Sequence, residues 1–288
     1  MEALEKKWVI ACVDGSELSQ AVVDYSAWIA EKVKSPLELI HAIEHSQLLD
    51  HTDHSGNLTP NLRENLIKTL SEDERAENKR LIEEGKHILE KAKSSISVRS
   101  IKEVKTKQRH GDLEETLSDL ESEIRVLVLG LRGEDHEATE EGIGSQLEDS
   151  IRAVHRPIFI VSEGFQEPES IMLAYNDTEA ARKALDMLCK SPLYTNMKIH
   201  LVHVTDDQSK GEALLKQAEK SLQQTDLDFQ TALLSGDPQT QLLAYQDRHN
   251  LDMTMMGAFS HGKLRSLFFG SFTLTMLQHN KKPILLIR

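Results

Sequence analysis

The stretch from Met256 to Phe272, MGAFSHGKLRSLFFGSF, carries Gly257, Gly262 and Gly270, a serine after the last glycine, and the cations Lys263 and Arg265. Glycine lets backbone N–H groups approach an anion closely and accepts positive φ. A serine hydroxyl adds one hydrogen bond. A helix that starts behind such a loop offers free N–H groups and the positive end of its dipole. The chemistry suggested is phosphate binding. The competing reading is a turn with an N-cap serine, and a lone Gly-Ser would favour it. The pattern is not alone, however. Gly130 and Gly133 precede Gly144-Ser145 in the same way.

Two polar side chains follow short apolar runs: Asp14 after WVIACV and Asn176 after IMLAY. His41 and His203 end two further apolar runs. For both, a hydrogen bond to a neighbouring loop is preferred over a ligand contact. The segment Asp50–His54, with His41 and His45 upstream, has metal-capable side chains but no recognised ligand spacing, so it reads as a solvated loop and no metal is assigned. There is no nucleophile elbow, no His-Glu-x-x-His, no paired-cysteine motif and no Walker loop. No enzyme activity is therefore expected.

The elements that position these residues emerge from an internal repeat. WVIACVDGS (Trp8–Ser16) matches IMLAYNDT (Ile171–Thr178), and LELIHAI (Leu37–Ile43) matches IHLVHV (Ile199–Val204). Asp14 to His41 and Asn176 to His203 are both 27 residues apart, and Gly144–Pro157 and Gly270–Pro283 both 13. The chain is read as two copies of one unit, at 1–163 and 170–288, with an insertion of about 44–72 in the first. In the second copy strands are predicted near 171–175, 198–204, 228–234, 252–256 and 283–287. Helices are predicted near 178–190, 208–225, 237–248 and 269–279. Strands apolar along their length, alternating with amphipathic helices, imply a parallel sheet covered on both faces. The fold class is α/β, two tandem doubly wound domains. Ligands in such sheets bind beyond the carboxyl ends of the strands, where the strand order reverses.

Bulk properties narrow the partners. The 288 residues carry 47 acids against 34 bases, a net charge of −13, with 39% hydrophobic and 28% charged residues. An acidic chain without a basic run is a poor partner for nucleic acid or an anionic membrane. Cys12 and Cys189 suggest no disulfide framework, and Cys12 reads as a small buried hydrophobe. No signal pattern opens the chain and no apolar run approaches a membrane span, so a cytoplasmic location is expected.

A strand ending in Asp, a strand ending in His, and Gly-x-x-Gly followed after nine residues by Gly-Ser/Thr before the last helix resemble the universal stress protein family, in its tandem two-domain form. The resemblance spans nearly the whole chain outside the insertion and the linker Ser162–Ser170. It implies five-stranded parallel sheets of the adenine nucleotide alpha hydrolase-like kind, pairing of the two domains through their last strands (a homodimer being a further option), and binding of ATP or AMP, with or without Mg²⁺. It implies a nucleotide site in the second copy at Asn176, Val204, Met256, Gly257, Ser260, His261, Gly270, Ser271 and Thr273. A weaker site in the first copy comprises Asp14, Ala42, Gly130, Gly133, Gly144 and Ser145. Ser260 departs from the family glycine, and Asn176 from the family Asp. In the first copy ten residues rather than nine separate Gly133 from Gly144, and five of them are acids: Glu134, Asp135, Glu137, Glu140 and Glu141. At ~5 Å each like-charge pair costs about 1 kcal/mol even in water. The second copy is therefore expected to hold the better site. The alternatives are a nucleotide-independent scaffold acting through protein contacts and a weak ATPase.

Overall fold

The computed structural model describes residues 7–43, 60–96, 99–133, 145–258 and 271–288, with the backbone alone at 60–74 and 145–146. Ser260, His261, Gly270 and Gly144 lie outside the described residues, as do the acidic run Glu134–Ile143 and Asp50–His54.

In the first half, strands β1 (Trp8–Cys12), β2 (Leu37–Ile43), β3 (Val104–His110), β4 (Ile124–Gly130) and β5 (Ile158–Val161) alternate with helices α1 (Ser19–Lys32), α2 (Pro60–Ser95), α3 (Leu113–Leu120) and α4 (Ser145–Ala153). The second half repeats the pattern. Its strands are β6 (Ser170–Ala174), β7 (Lys198–Val204), β8 (Asp228–Leu234), β9 (Met253–Gly257) and β10 (Ile284–Ile287). Its helices are α5 (Glu179–Lys190), α6 (Gln208–Leu222), α7 (Pro238–His249) and α8 (Ser271–His279). The helix starts follow from local chemistry. Thr178, Asp207 and Asp237 each accept a backbone N–H of the first turn of α5, α6 and α7, satisfying donors that a helix start leaves open. α7 ends on Asn250 in the left-handed region at φ 53°, a conformation Asn tolerates better than most residues.

The strands form one ten-stranded sheet in the order β3-β2-β1-β4-β5-β10-β9-β6-β7-β8. Each half is parallel throughout. The halves meet where β5 and β10 pair antiparallel, with Phe159 opposite Leu285, so the two domains do join through their last strands. A core lies on each sheet face. One gathers α1, α2, α5 and α6 through residues such as Trp28, Leu89, Ala184 and Leu215. The other gathers α3, α4, α7 and α8 through Leu117, Ile151, Leu242 and Met276. Each fully buried Leu or Ile contributes roughly 1.5–3 kcal/mol relative to exposure.

The halves differ most in the helix after the second strand. α2 spans 36 residues and α6 spans 15. The C-terminal part of α2, GKHILEKAKSSI (Gly85–Ile96), nevertheless repeats GEALLKQAEKSL (Gly211–Leu222). Gly85, Leu89, Ala92 and Ile96 are buried, and so are Gly211, Leu215, Ala218 and Leu222. Both glycines are places where a methyl would collide: at Gly85 with His41 and Gln108, at Gly211 with Leu233 and Thr205. The same closely packed helix seat therefore occurs twice.

Candidate functional site

Strand order reverses at β1/β4 in the first half and at β6/β9 in the second. At these points the connection after one strand covers one face and the connection after its neighbour covers the other, which opens a crevice at the carboxyl ends. Asp14 follows β1 and Asn176 follows β6, so both stand at the switch points.

Each of the two is fixed by its own loop. Asp14 Oδ1 accepts the Ser19 hydroxyl at 2.8 Å and the Ser16 N–H at 3.0 Å. Asn176 Oδ1 accepts the Thr178 hydroxyl at 2.8 Å and its N–H at 3.3 Å. These short-range bonds hold the side chain in one orientation and start the next helix. A methyl built at Gly133 would stand 2.9 Å from Asp14 Oδ2, so the second carboxylate oxygen lies against the loop that follows β4. The structure thus brings Asp14 and Gly133 together. The two side chains then differ in polarity. Asp14 offers only acceptors when ionised, whereas Asn176, its oxygen engaged, offers the donors of its amide nitrogen.

Gly130 and Gly257 have a packing role. A methyl at Gly257 would stand 2.9 Å from Ala180 Cβ and 3.1 Å from the Ala181 nitrogen. One at Gly130 would stand 3.1 Å from the Arg132 carbonyl oxygen and 3.5 Å from Leu18 Cβ. Leu18 and Ala180 each lie four residues after the switch-point Asp or Asn, so the same close strand-to-helix approach is built twice. Met256, one of the residues assigned to the nucleotide, is 1% exposed and belongs to the core beneath the crevice. Thr273 is buried while Ser271, at the start of α8, is exposed. Ser145 opens α4.

The half-buried Ala174, Val204 and Phe272 pack against the core on the α7/α8 face in the second half. In the first half Ala42 is half-buried at the end of β2, and Cys12 ends β1. Cys12 is half-buried and packs against the core as a small hydrophobe. It sits at the strand end beside the crevice instead of in the middle of the strand. Desolvation, and then the nearby Asp14 carboxylate, push its thiol up to about 12, so it stays protonated and unreactive at neutral pH.

His41 Nδ1 donates to the Val13 carbonyl at 2.8 Å and His203 Nδ1 to the Tyr175 carbonyl at 2.8 Å. Each ties the end of the second strand to the residue after the first, as expected of strand-end histidines. Among the described residues no cluster of three His, Cys, Asp or Glu is placed to hold a metal. No described helix is long and apolar enough to cross a membrane.

The sequence pattern of the Universal stress protein family matches this chain twice, at residues 7–162 and 168–288. A universal stress protein of Synechocystis sp. is 28% identical over 286 residues, covering 98% of this chain and 100% of its own. The crystal structure of a universal stress protein from Archaeoglobus fulgidus superposes with a TM-score of 0.75 at 17% identity, covering 99% of both chains.

Proposed function

This chain belongs to the universal stress protein family, and from that premise we propose that it binds an adenine nucleotide, AMP or ATP, and acts in a stress response as a nucleotide-responsive regulator without catalysis of its own. The observation that carries the proposal is the Asx turn at each switch point, which holds one side chain rigidly at the mouth of the crevice. A ligand that meets a pre-oriented group loses less entropy on binding.

The residues present fit such a ligand better in the second half. Asn176 supplies amide donors suited to the acceptor nitrogens of an adenine edge, and Val204 and Phe272 supply half-buried apolar surface for its ring. Ser271 opens α8 with its free N–H groups, the place for a phosphate. In the first half Asp14 supplies acceptors only, which suits an exocyclic amine or a ribose hydroxyl and opposes a phosphate. The acids Glu134–Glu141 add to that opposition. Domain 2 is therefore the better site.

The test is direct. The protein is purified natively and denatured, and the released nucleotide is identified by mass and absorbance. The expected result is AMP or ATP at about one per chain by the site assignment. Gly270→Glu, which sets a carboxylate at the start of α8, should weaken nucleotide binding on the order of tenfold or more. Gly144→Glu should weaken it little. If no nucleotide is released and neither millimolar AMP nor Mg-ATP raises the melting temperature, the protein works as a nucleotide-independent scaffold.

A further inference from the structure

The domain seam carries a second place for a small molecule, remote from the carboxyl ends of the strands. Counted from Asp14 and Asn176, Tyr25 and Trp28 occupy the same positions in α1 as Met187 and Lys190 do in α5. On the α1 side the seam is filled by aromatic rings. Tyr25 lies 5.1 Å from Phe159 and 4.9 Å from Phe165 between ring centres, and Trp28 lies 6.5 Å from Phe159. Phe165 comes from the linker between the domains. On the α5 side Met187 and Lys190 stand in the places of Tyr25 and Trp28, and there a cavity of about 130 Å³ remains.

Its walls come from both domains. Ile29, Val33 and Phe159 belong to the first, and Met187, Leu193 and Leu285 to the second. Three polar groups interrupt this apolar lining: Arg125, Ser191 and Tyr194. Ser191 Oγ is used by the Leu193 N–H at 3.3 Å. Arg125 is exposed and donates to the Val33 carbonyl at 3.2 Å, which leaves other guanidinium donors. Tyr194 is 1% exposed, and among the described residues its hydroxyl meets no hydrogen-bond partner. Burial alone pushes its pKa up, so the phenol is a neutral donor. A phenol donor not spent on the protein is available to an acceptor that reaches it.

We infer that this seam cavity binds a small apolar carboxylate, with its hydrocarbon or ring between Phe159, Met187 and Leu285 and its carboxylate taken by Tyr194 and Arg125. The size is right for a single ring: a cavity of about 150 Å³ lined by Leu, Ile and Phe takes benzene. The donors select an acceptor head over a neutral hydrocarbon. Because both domains form the walls, the bound molecule bears on the β5·β10 junction itself. The site is independent of the nucleotide crevice.

The experiment uses the full chain and 4-fluorobenzoate as the probe, followed by ¹⁹F NMR titration, with 4-fluorotoluene as the neutral control. Saturable binding at millimolar concentration is expected, unchanged by saturating AMP, and tighter than that of the control. Tyr194→Phe keeps the shape and should weaken binding about tenfold. Arg125→Gln should weaken the carboxylate and leave the control unchanged. Met187→Trp should fill the cavity and abolish binding of both probes. If that variant fails to fold, the Tyr194 and Arg125 variants decide. The inference is overturned by absence of saturable binding, by displacement with AMP, or by affinities that Tyr194→Phe and Arg125→Gln leave unmoved.

Discussion

At the scale of single residues, the same spacing serves two different ends. Gly130 and Gly257 are the first glycines of loops whose composition suggests phosphate binding, yet their visible role is to let a strand end approach α1 or α5. Glycine type reports that something comes close, and only the fold tells whether it is a helix or a ligand. The strand-end histidines were legible because a His at that place has a carbonyl within reach, as Val13 and Tyr175 show. His200 was not legible. It lies in an apolar run, and its partners arrive from β8 and α7. Its Nδ1 meets Tyr245 Oη at 3.0 Å and Gln230 Nε2 at 2.9 Å, and His249 stands edge-on nearby with ring centres 5.4 Å apart. Burial first, then His249 and Lys198, lower its pKa against an opposing pull from Asp228. A histidine whose folded pKa is lowered stabilises the fold above its unfolded value of about 6.5, and that contribution is lost as pH falls through the folded pKa. Urea unfolding between pH 5 and 8 should therefore show stability falling below about 6.5. His200→Gln should flatten that part of the profile. An unchanged slope in the variant would assign the pH dependence to other groups.

At the scale of elements, the helices of the second half were readable to within three residues at each end, because apolar periodicity and capping residues agree there. Thr178, Asp207 and Asp237 mark the starts, and the strands β6 and β9 are buried almost throughout. α2 was harder to place. Its middle, Ser71–Arg80, carries mostly charged residues, and the match between Gly85–Ile96 and Gly211–Leu222 is hidden by the insertion before it. With both seats visible, the fold needs only the last dozen residues of α2. From Arg75 to Glu84 the helix is exposed or half-buried, and a helix of 36 residues is about 54 Å long, far more than the sheet face requires. Replacing residues 44–81 by the three-residue connector Thr205-Asp206-Asp207 should leave cooperative melting intact. The midpoint should move by only a few degrees, on the order of 1 kcal/mol. Circular dichroism should lose helix in proportion to the excised turns. Loss of the cooperative transition would mean that the extension packs on the domain and is needed for its stability.

At the scale of the whole molecule, the two halves are joined as one sheet. β5 and β10 would each be an edge strand without the other, with open N–H and C=O groups prone to pairing. Pairing them antiparallel removes both edges and buries Phe159 and Leu285 on one face and Ile158, Ile160, Ile284 and Leu286 on the other. The linker adds fastening to both sides: Lys32–Glu167 at 2.8 Å in the first half and Lys282–Glu163 at 2.8 Å in the second. Such exposed pairs contribute little each, so the apolar seam must carry the coupling. Pairing through the last strands was an inference from family resemblance, since composition and spacing say nothing of which strand edges meet. A seam of this kind should make the two domains unfold as one unit, with calorimetric and van't Hoff enthalpies in agreement. Phe159→Ala removes a ring that is fully buried and should cost about 3–5 kcal/mol. Because Phe159 touches Tyr25 and Trp28 on one side and faces Leu285 on the other, that loss should lower a single transition for the whole chain. Two resolved transitions, only the first of them moved by the substitution, would mean that the domains are stable independently and that the continuous sheet adds little to either.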